Sequence, residues 1–335
     1  MITQIKFGAL AALALTSAVA ATGSAVAAEA KLTAIVSLQQ TNPLTKSFLA
    51  NFVKPLNEKA KGTVVVRFVG GPEVVPPSNG GDAIAKGQFD ILHGPGSYYI
   101  GAFPAAYAML ASNVTIAELH KNGGFAMLDG LYQKKMNAKL VAWGESELGY
   151  NTYLVAPPKL RADGLPDLTN MKMRASGTYR PLFEALGAVT VNMKESEIYT
   201  GLQRGLVQGF GWPVTGVPAL GLHKLVKVRV MPAFYKTNTV VVMNLAKWNA
   251  LTQEQKQAIE SQSRLYEQTS VAFMAKEAAA DEVSLRQGGV KDLVLEGAAG
   301  QKYLQTAFEA LWVEYKKLSK GDDGEALRAK LYKVE

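Results

Sequence analysis

The stretch that decides the fold is residues 170–213, which read NMKMRASGTYRPLFEALGAVTVNMKESEIYTGLQRGLVQGFGWP. Apolar Met171 and Met173 alternate with basic residues at the period of a half-buried strand, and a helical run follows the Ala-Ser-Gly break. A second strand ends at Gly211-Trp212-Pro213. The stretch therefore predicts a βαβ unit, which is the building block of an open, mostly parallel sheet.

Arg174 is predicted to lie where the first strand of this unit passes into its helix. Ligands bind at that edge of open α/β sheets, and the free N–H groups of the following helix attract an anion. A guanidinium can also hold a carboxylate through two parallel hydrogen bonds, so the position favours a carboxylate-binding arginine. It also allows an exposed strand-end arginine that pairs with a nearby acid, because such ion pairs are common.

Four motifs within the stretch carry a resemblance to a known family. They are Lys172-Met173-Arg174, Phe183-Glu184-Ala185-Leu186-Gly187-Ala188, Ser196-Glu197-Ile198-Tyr199-Thr200 and Leu202-Gln203-Arg204-Gly205. Together they resemble the DctP-type solute-binding proteins of tripartite ATP-independent periplasmic (TRAP) transporters, and the resemblance extends from the first strand to about Ile259. It implies that Arg174 forms a salt bridge with the carboxylate of a bound organic acid, since the matching arginine has that role in the family.

The amino terminus has the composition of a secretory signal. Lys6 ends a short basic region, residues 7–19 are almost wholly apolar, and Ala25-Val26-Ala27 supplies the small residues that signal peptidase requires. Residues 1–27 are therefore predicted to be removed, and the apolar run is shorter than the roughly 20 residues that span a bilayer. We expect a mature protein in the periplasm that does not itself span the membrane.

Composition excludes several kinds of function. The chain has no cysteine, which rules out disulfides, thiol nucleophiles, cysteine metal ligands and a lipid-modified cysteine anchor. The net charge of +8 is spread along the chain, so nucleic acid is not an expected partner. His120 and His223 have no acidic partners at ligand spacing, and we predict no metal and no cofactor.

Strand and helix patterns predict a two-lobed α/β protein in which each lobe is a mostly parallel sheet flanked by helices. Residues 28–151 with about 240–280 are assigned to lobe 1, and residues 152–239 with about 281–335 to lobe 2. The helices from Gln301 onward are expected to close lobe 2. This architecture places a ligand cleft between the lobes.

A long helix and two chain crossings are expected to connect the lobes. Thr252 and Gln255 form a capping box that opens a helix continuing to Leu285, and the family resemblance implies that this helix spans both lobes. The crossings are predicted near residues 151–153 and 240–244. Closure about such a hinge is the common motion of two-lobed receptors.

A faint internal repeat predicts which loops form the walls of the cleft. Residues 85–95 and 203–213 share the order helix, glycine stop, strand, proline, so the loops 93–99 of lobe 1 and 210–213 of lobe 2 are expected to face each other. The predicted ligand-binding residues are Arg174, Trp212, Asn151, Tyr98, Ser97, His93, Tyr150 and Gln40. For His93, a core or surface position remains open.

Two departures from the family pattern shape the expected ligand. Asn151 stands where many members carry an arginine, which suggests a ligand with one carboxylate and an otherwise neutral surface. Trp212 replaces a polar residue that often precedes the proline. The other aromatic residues expected to border the cleft are Tyr98, Tyr99, Tyr150, Tyr153 and Tyr179. An aromatic or 2-oxo monocarboxylate fits best, because aromatic faces stack on planar groups, although any one of these rings could instead belong to the core.

These features favour a non-enzymatic, monomeric binding protein that captures a small carboxylate and delivers it to the membrane permease subunits of a TRAP transporter. The hydrolase, phosphate-binding and zinc-protease motifs Gly-x-Ser-x-Gly, Gly-x-x-x-x-Gly-Lys and His-Glu-x-x-His do not occur in the sequence. Two alternatives stay open: a periplasmic sensor module that reports its ligand to a membrane receptor, and a hydrolase acting on a small acid.

Overall fold

The computed structural model describes Met1, residues 28–319 and residues 324–333. Residues 2–27 of the predicted signal peptide lie outside this description. No helix among the described residues combines the length and the apolar character needed to cross a bilayer.

Two β-sheets organise the described chain, one in each lobe. The strands are β1 (Ala30–Val36), β2 (Val64–Gly70), β3 (Ile91–Pro95), β4 (Ala138–Trp143), β5 (Tyr150–Leu154), β6 (Lys159–Leu160), β7 (Pro166–Asp167), β8 (Lys172–Arg174), β9 (Val189–Val191), β10 (Gly209–Pro213), β11 (Val228–Phe234), β12 (Thr239–Asn244) and β13 (Lys291–Val294). The first sheet has the order β2-β1-β3-β12-β4 and the second β13-β11-β5-β10-β8-β9, while β6 and β7 form a separate antiparallel pair.

Each sheet is parallel except for one strand. In the first sheet β12 runs antiparallel to β3 and β4, and in the second sheet β5 runs antiparallel to β10 and β11. Strands β3, β5 and β12 are buried at every position, as expected when helices cover both faces of a parallel sheet. The prediction of two lobes with mostly parallel sheets is confirmed.

Helices cover the faces of both sheets. Their bounds are α1 (Pro43–Phe48), α2 (Lys54–Lys59), α3 (Gly80–Ala85), α4 (Ala105–Leu110), α5 (Ile116–Asn122), α6 (Gly124–Met136), α7 (Arg180–Ala185), α8 (Ile198–Gln203), α9 (Leu245–Ala250), α10 (Gln253–Gln287), α11 (Gly297–Leu318) and α12 (Gly324–Leu331). A π-helical turn, Leu49–Val53, joins α1 to α2. Pro55 has no N–H to donate to the preceding turn, which favours this widened turn.

The chain passes between the sheets at residues 144–149 and again at residues 235–238. The segments predicted for these crossings, 151–153 and 240–244, lie inside β5 and β12 instead. The crossings lack the exposed polar character that marks a linker in a sequence, because Glu145, Thr237 and Asn238 are fully buried. The predicted crossing positions are therefore wrong, and we expect any hinge between the lobes to lie in these two crossing segments.

Helix α10 begins with the predicted capping box. The Thr252 hydroxyl accepts a hydrogen bond from the Gln255 N–H at 3.2 Å, and the Gln255 side chain accepts one from the Thr252 N–H at 3.0 Å. The helix packs against α1, α2 and β4 of the first lobe, and Leu285 near its end belongs to a hydrophobic cluster of the second lobe. One helix therefore spans both lobes, as the family resemblance implied.

The C-terminal helices do not simply close the second lobe as expected. Helix α11 packs against α7 and β11 of the second lobe and also against α4, while α12 packs against α4, α5 and α6. The apolar side chains of Leu327 and Leu331 are buried in that contact. Asn113 also donates a side-chain hydrogen bond to the Lys333 carbonyl oxygen at 2.7 Å. Helix α12 therefore packs with α4, α5 and α6, the helices between β3 and β4, because these helices bury the apolar face of α12.

Candidate ligand-binding site

Arg174 ends β8 at the edge of the second sheet and is only 4% exposed. Its Nε donates a hydrogen bond to the Met193 carbonyl oxygen at 3.0 Å, and its guanidinium carbon lies 5.6 Å from the centre of the Trp212 ring system. The backbone contact fixes one edge of the guanidinium, and the cation–π contact with the indole holds it from the side. The remaining Nη groups make no hydrogen bond to any described residue.

No described carboxylate oxygen lies within 4.0 Å of the Arg174 guanidinium. The other buried arginine of this lobe, Arg229, shows the contrast. Its Nε and Nη2 donate to Asp292 at 2.7 and 2.8 Å, and its Nη1 donates to Glu282 at 2.7 Å. Arg229 is thus the structural ion pair that the sequence also allowed for Arg174. Arg174 itself is a buried cation without an acidic partner in the described chain.

Two connected spaces meet at Arg174. An inner chamber of about 30 Å³ and an outer cleft of about 780 Å³ are both bordered by Arg174 and Ser176 of the second lobe and by Ser97 and Tyr98 of the first. The loop after β3 and the loop after β8 therefore face each other across the cleft. The inner chamber has little free volume in this conformation, whereas the outer cleft has room for a small ligand beside Arg174.

Aromatic rings form much of the wall of the inner chamber. Tyr98, Tyr150, Tyr179 and Trp212 border it, and Tyr150 meets Tyr179 edge to face with ring centroids 5.4 Å apart. A Cβ on Gly211 would lie 2.4 Å from the Tyr179 ring, so only glycine permits this packing beside Trp212. These four rings, packed and largely buried, make a rigid apolar wall on the cleft side of Arg174.

The cleft also contains an acid, Glu195, on the turn that follows β9. Burial raises the pKa of its carboxyl, while Arg174 and a hydrogen bond with the Asn42 side chain lower it. The same charges act on Tyr98, whose pKa is raised to about 12 by burial and by Glu195, with Arg174 acting to lower it. Arg174, Glu195 and Tyr98 therefore form one electrostatic group that joins the two lobes.

Of the eight residues predicted to bind ligand, five border the cleft: Arg174, Trp212, Tyr98, Ser97 and Tyr150. Gln40 is exposed and does not border it, whereas its neighbour Gln39 does. Asn151 lies opposite Trp212 in the sheet but points into the interior, where its Nδ2 donates to the Val230 carbonyl oxygen at 3.0 Å.

His93 also lies away from the cleft. It is 1% exposed, stacks on Phe48 with centroids 4.4 Å apart, and its Nε2 is 3.0 Å from the Tyr266 hydroxyl. That hydroxyl donates to Glu145 at 2.7 Å. His93 points toward α1 and α10 because alternate residues of a strand face opposite sides of the sheet. We therefore remove His93, together with Gln40 and Asn151, from the candidate site.

The remaining predicted aromatics divide between cleft and core. Tyr153 is fully buried and stacks on Phe210 at 5.3 Å, and Tyr99 is buried with its hydroxyl 3.5 Å from that of Tyr132. Both belong to the core, whereas Tyr179 borders the inner chamber. Sequence patterns did not point to Glu195 or Asn42, because these polar residues approach each other only when loops from different lobes meet.

The arrangement can bind an anion. Arg174 supplies the positive charge, and the hydroxyls of Ser97, Ser176 and Thr178 border the same chamber. Among residues 28–319 and 324–333, no group of three or more His, Asp and Glu side chains could hold a metal ion. Two α/β lobes around a buried, unpaired arginine define a two-lobed solute-binding protein.

Comparison with known families agrees with this architecture. The family described as bacterial extracellular solute-binding protein, family 7 (DctP), matches residues 36–318. The chain therefore belongs to this family of binding proteins, and the resemblance seen in the sequence is confirmed.

Individual relatives extend the comparison. A protein of Nostoc sp. (strain PCC 7120), named monocarboxylate 2-oxoacid-binding periplasmic protein, is 26% identical over 220 residues, which are 60% of this chain and 56% of that protein. The match thus spans little more than half of the relative's length. A TRAP transporter solute-binding protein from Bordetella bronchiseptica RB50, solved with copurified calcium and picolinate, has a TM-score of 0.77 at 21% identity, covering 91% of each chain. One from Desulfovibrio salexigens with bound orotic acid has a TM-score of 0.76 at 16% identity, covering 89% of this chain and 96% of that one.

Proposed function

We propose that the chain captures a small organic monocarboxylate, aromatic or 2-oxo, in the cleft between its lobes and delivers it to the membrane permease of a TRAP transporter. The ligand carboxylate binds to Arg174. The serine and threonine hydroxyls that border the inner chamber offer further hydrogen bonds.

The observation that carries this proposal is the burial of Arg174 without an acidic partner. Removing a charge from water costs several kcal/mol unless a counter-charge and hydrogen bonds compensate for it. Arg229 is compensated by two acids of the chain itself. For Arg174, which opens onto the cleft, a bound carboxylate supplies the missing partner.

The geometry around Arg174 also sets the direction of binding. Its Nε is engaged by the Met193 carbonyl oxygen, so a carboxylate meets the two Nη groups end-on. Two parallel charge-assisted hydrogen bonds of this kind are strong and directional, and lysine cannot reproduce them. Trp212 beside the guanidinium keeps it from turning away.

The ligand class follows from the walls of the cleft. Four aromatic rings surround a narrow inner chamber, which suits a small planar group better than a bulky one. The named relatives bind 2-oxoacids, picolinate or orotic acid, all of which carry a carboxylate next to a planar system. These names support an aromatic or 2-oxo acid for this chain.

The cellular setting is the periplasm, where the predicted signal peptide would direct the chain. The family description is extracellular and the Nostoc relative is named periplasmic, which supports the same location. In this setting the protein carries its ligand to the permease without being embedded in the membrane itself.

Calorimetric titration of the mature protein with benzoate and with 2-oxopentanoate tests the proposal. Each charge-assisted hydrogen bond contributes about 1.5–3 kcal/mol, so Arg174→Ala and Arg174→Lys should both weaken binding by roughly two orders of magnitude or more. Arg204→Ala removes the same charge from an exposed position of the same lobe and should leave affinity unchanged.

Circular dichroism of each variant provides the folding control. Near wild-type affinity in a well-folded Arg174→Ala protein would remove the arginine from the site. Failure of the wild type to bind either acid would overturn the proposed ligand class. Cleavage of benzoylglycine, a small monocarboxylate with a hydrolysable amide bond, followed by NMR during prolonged incubation, would point instead to the hydrolase alternative.

A further inference from the structure

Glu195 is held close to the ligand end of Arg174 by the path of the backbone. Strand β9 pairs in parallel with β8, so that Val191 lies beside Arg174. The chain leaving β9 emerges at the same sheet edge as the loop after Arg174, and the Met193 carbonyl oxygen accepts the Arg174 Nε hydrogen bond. Glu195 follows two residues later and borders the outer cleft together with Arg174.

The charge of Glu195 is directed into the cleft. Glu195 and Arg174 act with opposite signs on the pKa values of both Tyr98 and Tyr179, which border the inner chamber. The Asn42 side chain reaches Glu195 from the opposite lobe. The neighbouring Glu197 also borders the outer cleft, but it is exposed to water and its carboxylate accepts a hydrogen bond from the Lys194 N–H at 2.8 Å within its own turn.

We infer that Glu195 determines ligand specificity by restricting the cleft to one anionic group, so that monocarboxylates bind and dicarboxylates of the same length are rejected. Glu195 can have this role only if Arg174 binds the ligand carboxylate, as proposed above. Its carboxylate then faces the end of the ligand that projects into the outer cleft.

The physical reason is the balance of charge in the site. The first carboxylate of a ligand occupies Arg174, the single cation buried at the junction of the two spaces. A second carboxylate would enter the outer cleft beside Glu195, where like charges repel and partial burial limits screening by solvent. Arg180 and Lys194 also border the outer cleft, but both are exposed to water, which weakens their attraction for a second carboxylate.

The test compares acids that differ only in the second carboxylate. Calorimetry measures 2-oxopentanoate against 2-oxoglutarate, and 4-methylbenzoate against terephthalate, on the mature wild-type protein, so that a methyl group replaces the second carboxylate in each pair. We expect the monocarboxylate of at least one pair to bind at least about tenfold more tightly than its diacid. Glu195→Gln should reduce that ratio about tenfold or more, mainly by strengthening binding of the diacid.

Glu184→Gln is the matched control, because it removes the same charge from an exposed position of the same lobe outside the cleft. A ratio that falls in Glu195→Gln but not in Glu184→Gln supports the role of Glu195. An unchanged ratio in Glu195→Gln, or an equal fall in both variants, overturns it while leaving monocarboxylate binding intact. If neither monocarboxylate binds the wild type, the proposed function fails and the role of Glu195 fails with it.

Discussion

At the scale of single residues, the two buried arginines of the second lobe have different physical roles. Arg229 is 8% exposed and donates to Asp292 and Glu282, so its charge is compensated within the fold. Arg174 is 4% exposed and donates only to a backbone carbonyl oxygen among the described residues. One arginine stabilises the lobe, and the other is available to an anion.

Alanine substitution should separate these roles. Arg229→Ala should lower the free energy of unfolding by about 2 kcal/mol or more, because it removes a buried side chain and its three charge-assisted hydrogen bonds, although Glu282 keeps its contact with Arg286. Arg174→Ala removes a buried charge that has no salt bridge among the described residues, so it should leave the free energy of unfolding unchanged or raise it. Urea denaturation followed by circular dichroism measures both variants. A larger loss of stability for Arg174→Ala than for Arg229→Ala would show that Arg174 is a structural residue.

Part of the candidate site could be predicted from the sequence, residue by residue. The period-two pattern of β8 and the break after it were enough to place Arg174 at a sheet edge, and Trp212 and the 97–98 loop followed from strand ends in the same way. His93 was misplaced because the pattern of β3 shows that the strand is buried but not which face each residue takes. Glu195 and Asn42 could not be found, since their proximity depends on how two lobes meet.

At the scale of elements, local signals predicted helices better than connections. The capping box of Thr252 and Gln255 was sufficient to place the start of α10. The crossings at 144–149 and 235–238 were predicted a few residues too late in the chain. The reason is that the crossing segments are largely buried, like the strands beside them, so no exposed linker marks where the chain crosses. The position of α12 depends on the apolar surface formed by α4, α5 and α6, which are distant from α12 along the chain, so local sequence patterns could not predict it.

Helix α10 also stabilises the hinge through Tyr266. Its hydroxyl donates to Glu145, at the start of the first crossing, and lies 3.0 Å from His93 Nε2. Tyr266→Phe leaves these buried polar groups without that partner, which should cost about 1–3 kcal/mol of unfolding free energy. Tyr199→Phe, at an exposed tyrosine, is the matched control and should cost almost nothing. Equal midpoints of urea denaturation for the two variants would contradict a stabilising role for the Tyr266 hydroxyl.

At the scale of the whole molecule, the two lobes are drawn together around the cleft. Asn42 of the first lobe reaches Glu195 of the second, and the loop after β8 lies against the loop after β3. The inner chamber holds only about 30 Å³ in this arrangement. We therefore expect ligand binding to involve movement of the lobes about the crossings at 144–149 and 235–238, with α10 as the third connection.

The most direct test of the account is a crystal structure of the mature protein grown with 2-oxopentanoate or benzoate. We predict closed lobes, with one ligand carboxylate meeting both Nη groups of Arg174 at hydrogen-bond distances of about 2.7–2.9 Å while Nε still donates to the Met193 carbonyl oxygen. A carboxylate bound elsewhere in the cleft, with Arg174 out of contact with it, would contradict the central claim that this arginine binds the ligand.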